Sequence, residues 1–264
     1  MATPRVVATD LDGTLLRSDG SLSARTRGVL AGLDDRGIQV VFVTARPPRW
    51  LDAVADAVGG HGLAICLNGS CVVEVATGAV SQVRGFDAAT LTAVISDLRS
   101  ALPGIALGLE RPDGPIFDPH YASDHHAPPS APHAAVEDHL DAPVGKLLAR
   151  LGTMAPDAFF AAVEQVIGPR AQLAYSGAIG LAEMTAPGVS KAAALARWCA
   201  AHDVSAADVW AFGDMPNDLP MLTWAGTSFA VANAHDDVLA AATRVTASND
   251  DDGVARALEG LLAP

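Results

Sequence analysis

Residues 6–67 set down strand, helix, strand, helix and strand, and that order restricts the fold more than any other feature of the chain. Val6–Thr9 is short, apolar and β-branched, which predicts a buried strand ending at Asp10. Ser23 can cap a helix to Arg36 that places Val29, Leu30 and Leu33 on one face and stops at Gly37. Ile38–Val43 predicts a second buried strand, ending at Thr44. Pro47 and Pro48 open a second helix, with Trp50, Leu51, Val54 and Val58 inward. Leu63–Leu67 is a third strand, closed by Asn68 and Gly69. Such an alternation predicts a parallel sheet covered by helices.

The rhythm then changes. Cys71–Val75 and Val80–Val83 flank Thr77-Gly78 as a hairpin, and Asp87 can cap a helix to Leu102 before a strand at Ile105–Leu109. Residues 111–143, rich in Pro, His and Asp, read as one long irregular loop. A strand at Lys146–Leu151, a helix at Pro156–Ile167 and strands at Gln172–Tyr175 and Ile179–Met184 follow. The first rhythm returns at Pro187. Helical Val189–His202 leads to a strand at Val209–Phe212, a helix at Leu219–Trp224, and a strand at Phe229–Val231. A helix at Asp237–Ala242, a strand at Arg244–Thr246 and a helix at Gly253–Leu262 end the chain. The expected fold is therefore α/β, a Rossmann-like parallel-sheet core over 1–83 and 187–264 with an α+β cap domain inserted at 84–186.

Composition narrows the partners. The 264 residues carry a formal charge of −13, which argues against nucleic acid and acidic membranes. An anionic substrate would need local positive charge from a metal, a few cations or helix N-termini. No apolar run reaches the about 18 residues of a membrane span, and the N-terminus has no apolar signal region. Three cysteines without metal spacing read as thiols of a reducing compartment, so the expected location is cytoplasmic. Oligomeric state is not legible.

Asp10, Thr44 and Asp214 each stand just past a buried strand, and the carboxyl ends of neighbouring parallel strands converge on one crevice. Any one of them reads as a turn or cap residue; three at equivalent places point to a site. Asn217 and Asp218 follow Asp214 in GDMPNDLPML. With Asp10 and Asp12 they offer oxygen donors and no soft ligand, a set suited to Mg²⁺. Lys191, one of only two lysines, opens a helix where its charge opposes the macrodipole, which makes sense against a strong anion. Thr44 and the backbone N–H groups of Ala45 and Arg46 enter the next helix as a phosphate cradle.

DLDGTLL at 10–16, Thr44 in VTARP, Lys191 in PGVSK and GDMPND at 213–218 resemble the four ordered motifs of the haloacid dehalogenase superfamily. The long insertion between the second and third motifs resembles the Cof-type subfamily with its C2-type cap, as do AVANA at 230–234 and SNDDDGV at 248–254. The resemblance implies a Mg²⁺-dependent phosphatase of small phosphorylated metabolites, sugar phosphates foremost, with Asp10 as nucleophile and Asp12 as general acid and base. It implies metal ligation by Asp10, Asp214 and the backbone carbonyl of Asp12, and phosphoryl contacts from Thr44, Ala45, Lys191 and Asn217. Asp218 would orient the groups around the metal, and Asn68 would support the site. Arg46 reads either as a support of the phosphate region or as a structural partner of one of the many acids. A phosphomutase and an idle binding module are the alternatives.

Other features read more plainly. Asp10–Ser21 fails as a calcium loop because Leu15 and Ser21 stand where glycine and glutamate are needed. Residues 248–253 read as a turn and helix cap, with Asn249 near the crevice. His120, His125, His126, His133 and His139 fit no zinc spacing and read as solvated loop residues. Lys146 reads either as a substrate contact or as a surface salt bridge.

Overall fold

A computed structural model describes residues 3–51, 54–55, 62–122, 128–176 and 178–262. The chain divides into two compact units, Met1–Ser81 with Ser190–Pro264, and Gln82–Val189.

In the first unit, eight strands among the described residues form one sheet. They are β1 (Val6–Thr9), β2 (Gln39–Val43), β3 (Leu63–Cys66), β4 (Cys71–Glu74), β5 (Ala79–Ser81), β11 (Val209–Gly213), β12 (Thr227–Ala230) and β13 (Arg244–Val245), in the order β13-β12-β11-β1-β2-β3-β4-β5. β1 lies between β2 and β11, parallel to both, with Val6 opposite Gln39 and Val209. All four β1 residues are buried, as a central strand covered on both faces must be. The hairpin expected after residue 70 adds β4 and β5 antiparallel at the sheet edge.

Helix α1 (Ala24–Asp34) takes its cap from Ser23, whose side chain accepts from the Thr26 N–H, and buries Val29, Leu30 and Leu33. After Pro47 the described residues hold one tight turn, Pro48–Trp50, and helical residues 54 and 55; Val58 lies outside them. The expected 189–202 helix begins at Lys191, because Ser190 is its cap. The last helix, Gly253–Leu258, tightens into a turn at Glu259–Leu261.

The second unit is an antiparallel sheet of β6 (Ala106–Arg111), β7 (Gly114–Phe117), β8 (Lys146–Arg150), β9 (Gln172–Ala174) and β10 (Ala182–Thr185), ordered β7-β6-β8-β10-β9. Helices α2 (Ala88–Ala101) and α3 (Pro156–Ile167) share one core with its strands through Leu91, Ile95, Leu98, Leu107, Phe159 and Met184. The expected irregular stretch 111–143 is corrected here. Its Gly114–Phe117 is a strand paired with β6, and Val136–His139 forms a turn of helix. Pro115 and the short length hid the strand, since proline argues against a ladder position except on an edge strand, which β7 is. Lys146 is neither on the surface nor alone. It is buried, and its Nζ donates to Glu183 Oε1 at 2.6 Å.

Candidate active site

The strand order brings four chain segments side by side at the carboxyl ends of β11, β1, β2 and β3. They carry Asp214, Asp10, Thr44 and Asn68 respectively. The order of connection reverses about β1, and a crevice opens at such a switch point.

After β1 the chain makes one wide turn, in which Leu16 N–H donates to the Leu11 carbonyl at 2.8 Å. Gly13 has φ +76° within it, and a Cβ there would overlap Asp214 Oδ2, so glycine is required twice over. Thr14 Oγ1 donates to Asp214 Oδ1 at 2.7 Å. Asn233 Nδ2 holds the Gly13 carbonyl at 2.8 Å and is itself oriented by the Asn249 N–H at 2.9 Å. Asn249 Nδ2 donates to the Leu16 carbonyl at 2.9 Å. Sequence reasoning missed Thr14 and Asn233. Both lie in quoted stretches, Thr14 directly after Gly13 in DLDGTLL and Asn233 in AVANA, but neither was given a role.

α4 (Lys191–Ala201) starts on Ser190, and Lys191 Nζ donates to Asp10 Oδ1 at 2.5 Å and Asp218 Oδ1 at 2.7 Å. Asp218 spends its other oxygen on the backbone N–H groups of Asp214 and Met215, both at 3.1 Å. All three charged groups are buried. Burial pushes the Asp10 carboxyl well above its ordinary range; Lys191 works against this, while Asp218 and Asp214 add to it. Burial also pulls on the Lys191 ammonium, but Asp10 and Asp218 outweigh it and raise its pKa. Burial, then Asp218, pushes Asp214 up to about 6.

Asp10, Asp214 and Asp218 can bring one oxygen each within 4.8 Å of one another, the only such acidic, histidine or cysteine cluster among the described residues. Three buried carboxylates against one lysine leave excess negative charge, and the donors are all hard oxygen, so the set fits a divalent cation such as Mg²⁺. Asp218 is committed to Lys191 and two N–H groups, which leaves Asp10 and Asp214 as the side chains suited to hold the ion. The Asp12 side chain is not in the cluster. It turns to Arg46, which grips it with Nε to Oδ2 at 2.8 Å and Nη2 to Oδ1 at 2.6 Å.

Thr44 is fully buried at the end of β2. Its hydroxyl accepts from the Arg46 N–H at 3.0 Å, so that N–H is not spare for a phosphate cradle as expected. The hydroxyl forms a local turn in its place. Beyond β3, Leu67 and Asn68 both take positive φ, 53° and 56°, at roughly 1–3 kcal/mol each. The turn is fixed by Leu67 N–H to the Arg46 carbonyl at 3.0 Å and Asn68 N–H to the Thr44 carbonyl at 3.1 Å. Gly69 packs against the Ser190 carbonyl, with no room for a Cβ. Asn217 Nδ2 donates to Asn68 Oδ1 at 3.3 Å, while Asn68 Nδ2 and Asn217 Oδ1 are buried with no hydrogen-bond partner among the described residues.

Asp10, Thr44, Asn68, Lys191, Asp214, Asn217 and Asp218 are thus gathered in the first unit, with Arg46 and Asp12 beside them. His120, His133 and His139 join no such cluster, and His125 and His126 lie outside the described residues.

A parallel sheet that gathers buried carboxylates and a buried lysine at its carboxyl ends defines an α/β enzyme that handles an anion. The chain belongs to the haloacid dehalogenase-like hydrolases, whose family model matches residues 7–258. It is 27% identical over 268 residues to the 5-amino-6-(5-phospho-D-ribitylamino)uracil phosphatase YitU of Bacillus subtilis, covering 97% of each chain. It is 27% identical over 267 residues to the pyridoxal phosphate phosphatase YbhA of Escherichia coli, covering 96% of this chain and 97% of that one. The fold matches that of the Bacteroides thetaiotaomicron phosphatase BT1666, with a TM-score of 0.83 and 24% identity over 98% of this chain and 95% of the other. In keeping with this family, the chain is a phosphoric monoester hydrolase.

Proposed function

We propose that the protein is a Mg²⁺-dependent phosphatase of small phosphorylated metabolites, sugar phosphates foremost, working through an aspartyl phosphate on Asp10. The observation that carries this reading is the buried Asp10–Lys191–Asp218 chain beside Asp214. Asp10 is the residue at the end of the central strand, and Lys191 keeps charge next to it despite burial.

Asp10 attacks phosphorus and the ester oxygen departs with a proton from Asp12, which then takes a proton from the water that releases phosphate. Thr44, Ala45, Lys191 and Asn217 hold the phosphoryl oxygens, and Arg46, Asn68 and Asp218 brace those groups. Asp10, Asp214 and the Asp12 backbone carbonyl would hold Mg²⁺, which supplies charge neutralisation for the transferring group. Residues 84–186 form the cap that selects substrate. The setting is cytoplasmic, in keeping with the three free, buried cysteines.

YitU and YbhA, by their names, act on phosphorylated small molecules, and a substrate of this size suits the reading. The test is release of inorganic phosphate from p-nitrophenyl phosphate with Mg²⁺ by the native protein and by Asp10→Asn. Native turnover with at least about a thousandfold loss in the variant supports the reading. Equal activity in the variant overturns the aspartyl-phosphate route, and transfer to a sugar hydroxyl without free phosphate would mark a mutase.

A further inference from the structure

Asn68 and Asn217 pose a local accounting problem. One hydrogen bond joins them, Asn217 Nδ2 to Asn68 Oδ1 at 3.3 Å, and it uses one donor and one acceptor. What is left over is a buried amide NH₂ on Asn68 and a buried carbonyl oxygen on Asn217, neither with a partner among the described residues. Turning both amides end for end changes nothing essential: the pair still presents one unused donor and one unused acceptor. Buried polar atoms are nearly always paired in native proteins, so an unpaired donor and acceptor side by side call for a group that serves both.

The backbone adds a second observation. Leu67 and Asn68 are held consecutively in the left-handed region, and neither is glycine. The turn is kept there by hydrogen bonds to the carbonyls of Thr44 and Arg46 and by the packing of Gly69 on Ser190, just before Lys191. Strain of this kind persists where the surroundings over-determine it and clusters at ligand clamps. Here the Thr44 segment and the start of α4, both part of the site, hold Asn68 in place.

A phosphoryl dianion offers acceptors only, and cannot satisfy the Asn217 oxygen. A hydroxyl can satisfy both atoms: its oxygen accepts from Asn68 Nδ2 and its hydrogen is donated to Asn217 Oδ1. We propose that Asn68 and Asn217 together hold a hydroxyl of the leaving group, on a carbon close to the phosphoester. This rests on the phosphatase reading above, in which the same Asn217 amide also reaches a phosphoryl oxygen. One carboxamide spanning both contacts keeps the hydroxyl near the ester, as in a vicinal hydroxyalkyl phosphate, the unit repeated in phosphorylated polyols and sugars. Asn68 is then a specificity-determining residue from the end of a core strand.

The test compares 2-hydroxypropyl phosphate with n-propyl phosphate, which differ by that hydroxyl alone, and p-nitrophenyl phosphate reports on the chemistry without it. The native protein is expected to prefer the hydroxylated ester by at least about tenfold in kcat/KM, because a site built to bond a hydroxyl rejects the analogue lacking it. Asn68→Gly, which accepts φ 56° without cost, should bring that ratio toward one, and Asn68→Ala gives a second reading of the same ratio. Native turnover of all three esters with a ratio near one overturns the inference and spares the phosphatase reading, as does a preference unchanged in Asn68→Gly. No turnover of any ester overturns both.

Discussion

Arg46 and Asp12 are joined by two parallel hydrogen bonds, Nε to Oδ2 at 2.8 Å and Nη2 to Oδ1 at 2.6 Å, and the Asp12 side chain is otherwise 59% exposed. A two-pronged guanidinium contact fixes the plane of the carboxylate as well as its position. For a residue proposed to pass a proton to the ester oxygen, that orientation matters more than the stability it adds. Arg46→Ala should lower kcat on p-nitrophenyl phosphate by about tenfold or more, with a smaller change in KM. Arg46 is half-buried and also donates Nη1 to the Trp50 carbonyl at 3.1 Å, so the stability loss should be about 1–2 kcal/mol. Arg46→Lys should fall between, since lysine cannot make the fork. Steady-state kinetics with a thermal melt on each variant decide it; unchanged kcat in Arg46→Ala would sink the positioning role.

Gly13 meets Asp214 so closely that any side chain displaces the carboxylate. Gly13→Ala pays for a left-handed φ and pushes Asp214 off its Thr14 hydrogen bond. The expected result is at least about a hundredfold lower turnover, together with a higher Mg²⁺ concentration for half-maximal activity. A Mg²⁺ titration of activity reads both, and a native-like curve would contradict the geometry.

Lys191 is the counter-charge for two buried carboxylates. Lys191→Met removes one partner and leaves Asp10 and Asp218 buried together, which costs about 3–5 kcal/mol. For a chain of this length that lowers the melting temperature by roughly 10 °C. Urea unfolding at neutral pH measures the loss; a cost under about 1 kcal/mol would mean that solvent screens the pair.

How much of this could be read from the chain follows from what each feature depends on. The strands before Asp10, Thr44 and Asp214 are short, buried, largely apolar runs, and their ends mark themselves, so the α/β fold and its convergent polar residues were visible. Strand β7 was not, because Pro115 and four residues of length carry no period. The partition of Asp218 between Lys191 and two backbone N–H groups depends on contacts 27 residues apart in sequence. Asn233 stands in the recognisable stretch AVANA, but its contact with the carbonyl of Gly13, 220 residues away, has no local signature. The Arg46 N–H illustrates another limit: a cradle inferred from a helix start loses one donor when the neighbouring threonine hydroxyl takes it first.

In the second unit, Arg99 Nε donates to Glu137 Oε1 at 2.9 Å, and this hydrogen bond holds the Glu137 carboxyl below its ordinary value of 4.5. A carboxyl lowered by folding stabilises the protein above its unfolded pKa, and that stabilisation is lost as pH falls through the lowered folded value. Glu137→Gln should therefore cost stability at pH 6 and nothing well below pH 4. The pair is partly exposed, so the difference at pH 6 should stay below about 1 kcal/mol. Urea melts of both proteins from pH 6 to pH 3 give the comparison; a difference that grows on acidification has the wrong sign for this contact.

On the proposed metal reading, the three buried carboxylates Asp10, Asp214 and Asp218 should also make the fold itself sensitive to a divalent ion. Burial, and then repulsion from the neighbouring carboxylates, raises Asp10 and Asp214 above the ordinary carboxylate range, and a bound cation would offset both effects. Binding to the folded chain alone stabilises it by about 2.7 kcal/mol at a concentration a hundred times the dissociation constant. The melting temperature at neutral pH should accordingly rise with added Mg²⁺ and fall back with a chelator in excess. Asp214→Asn should keep the fold and lose most of that rise, because it removes a proposed ligand while relieving repulsion. A Mg²⁺-induced rise of full size in Asp214→Asn would show that the ion binds elsewhere.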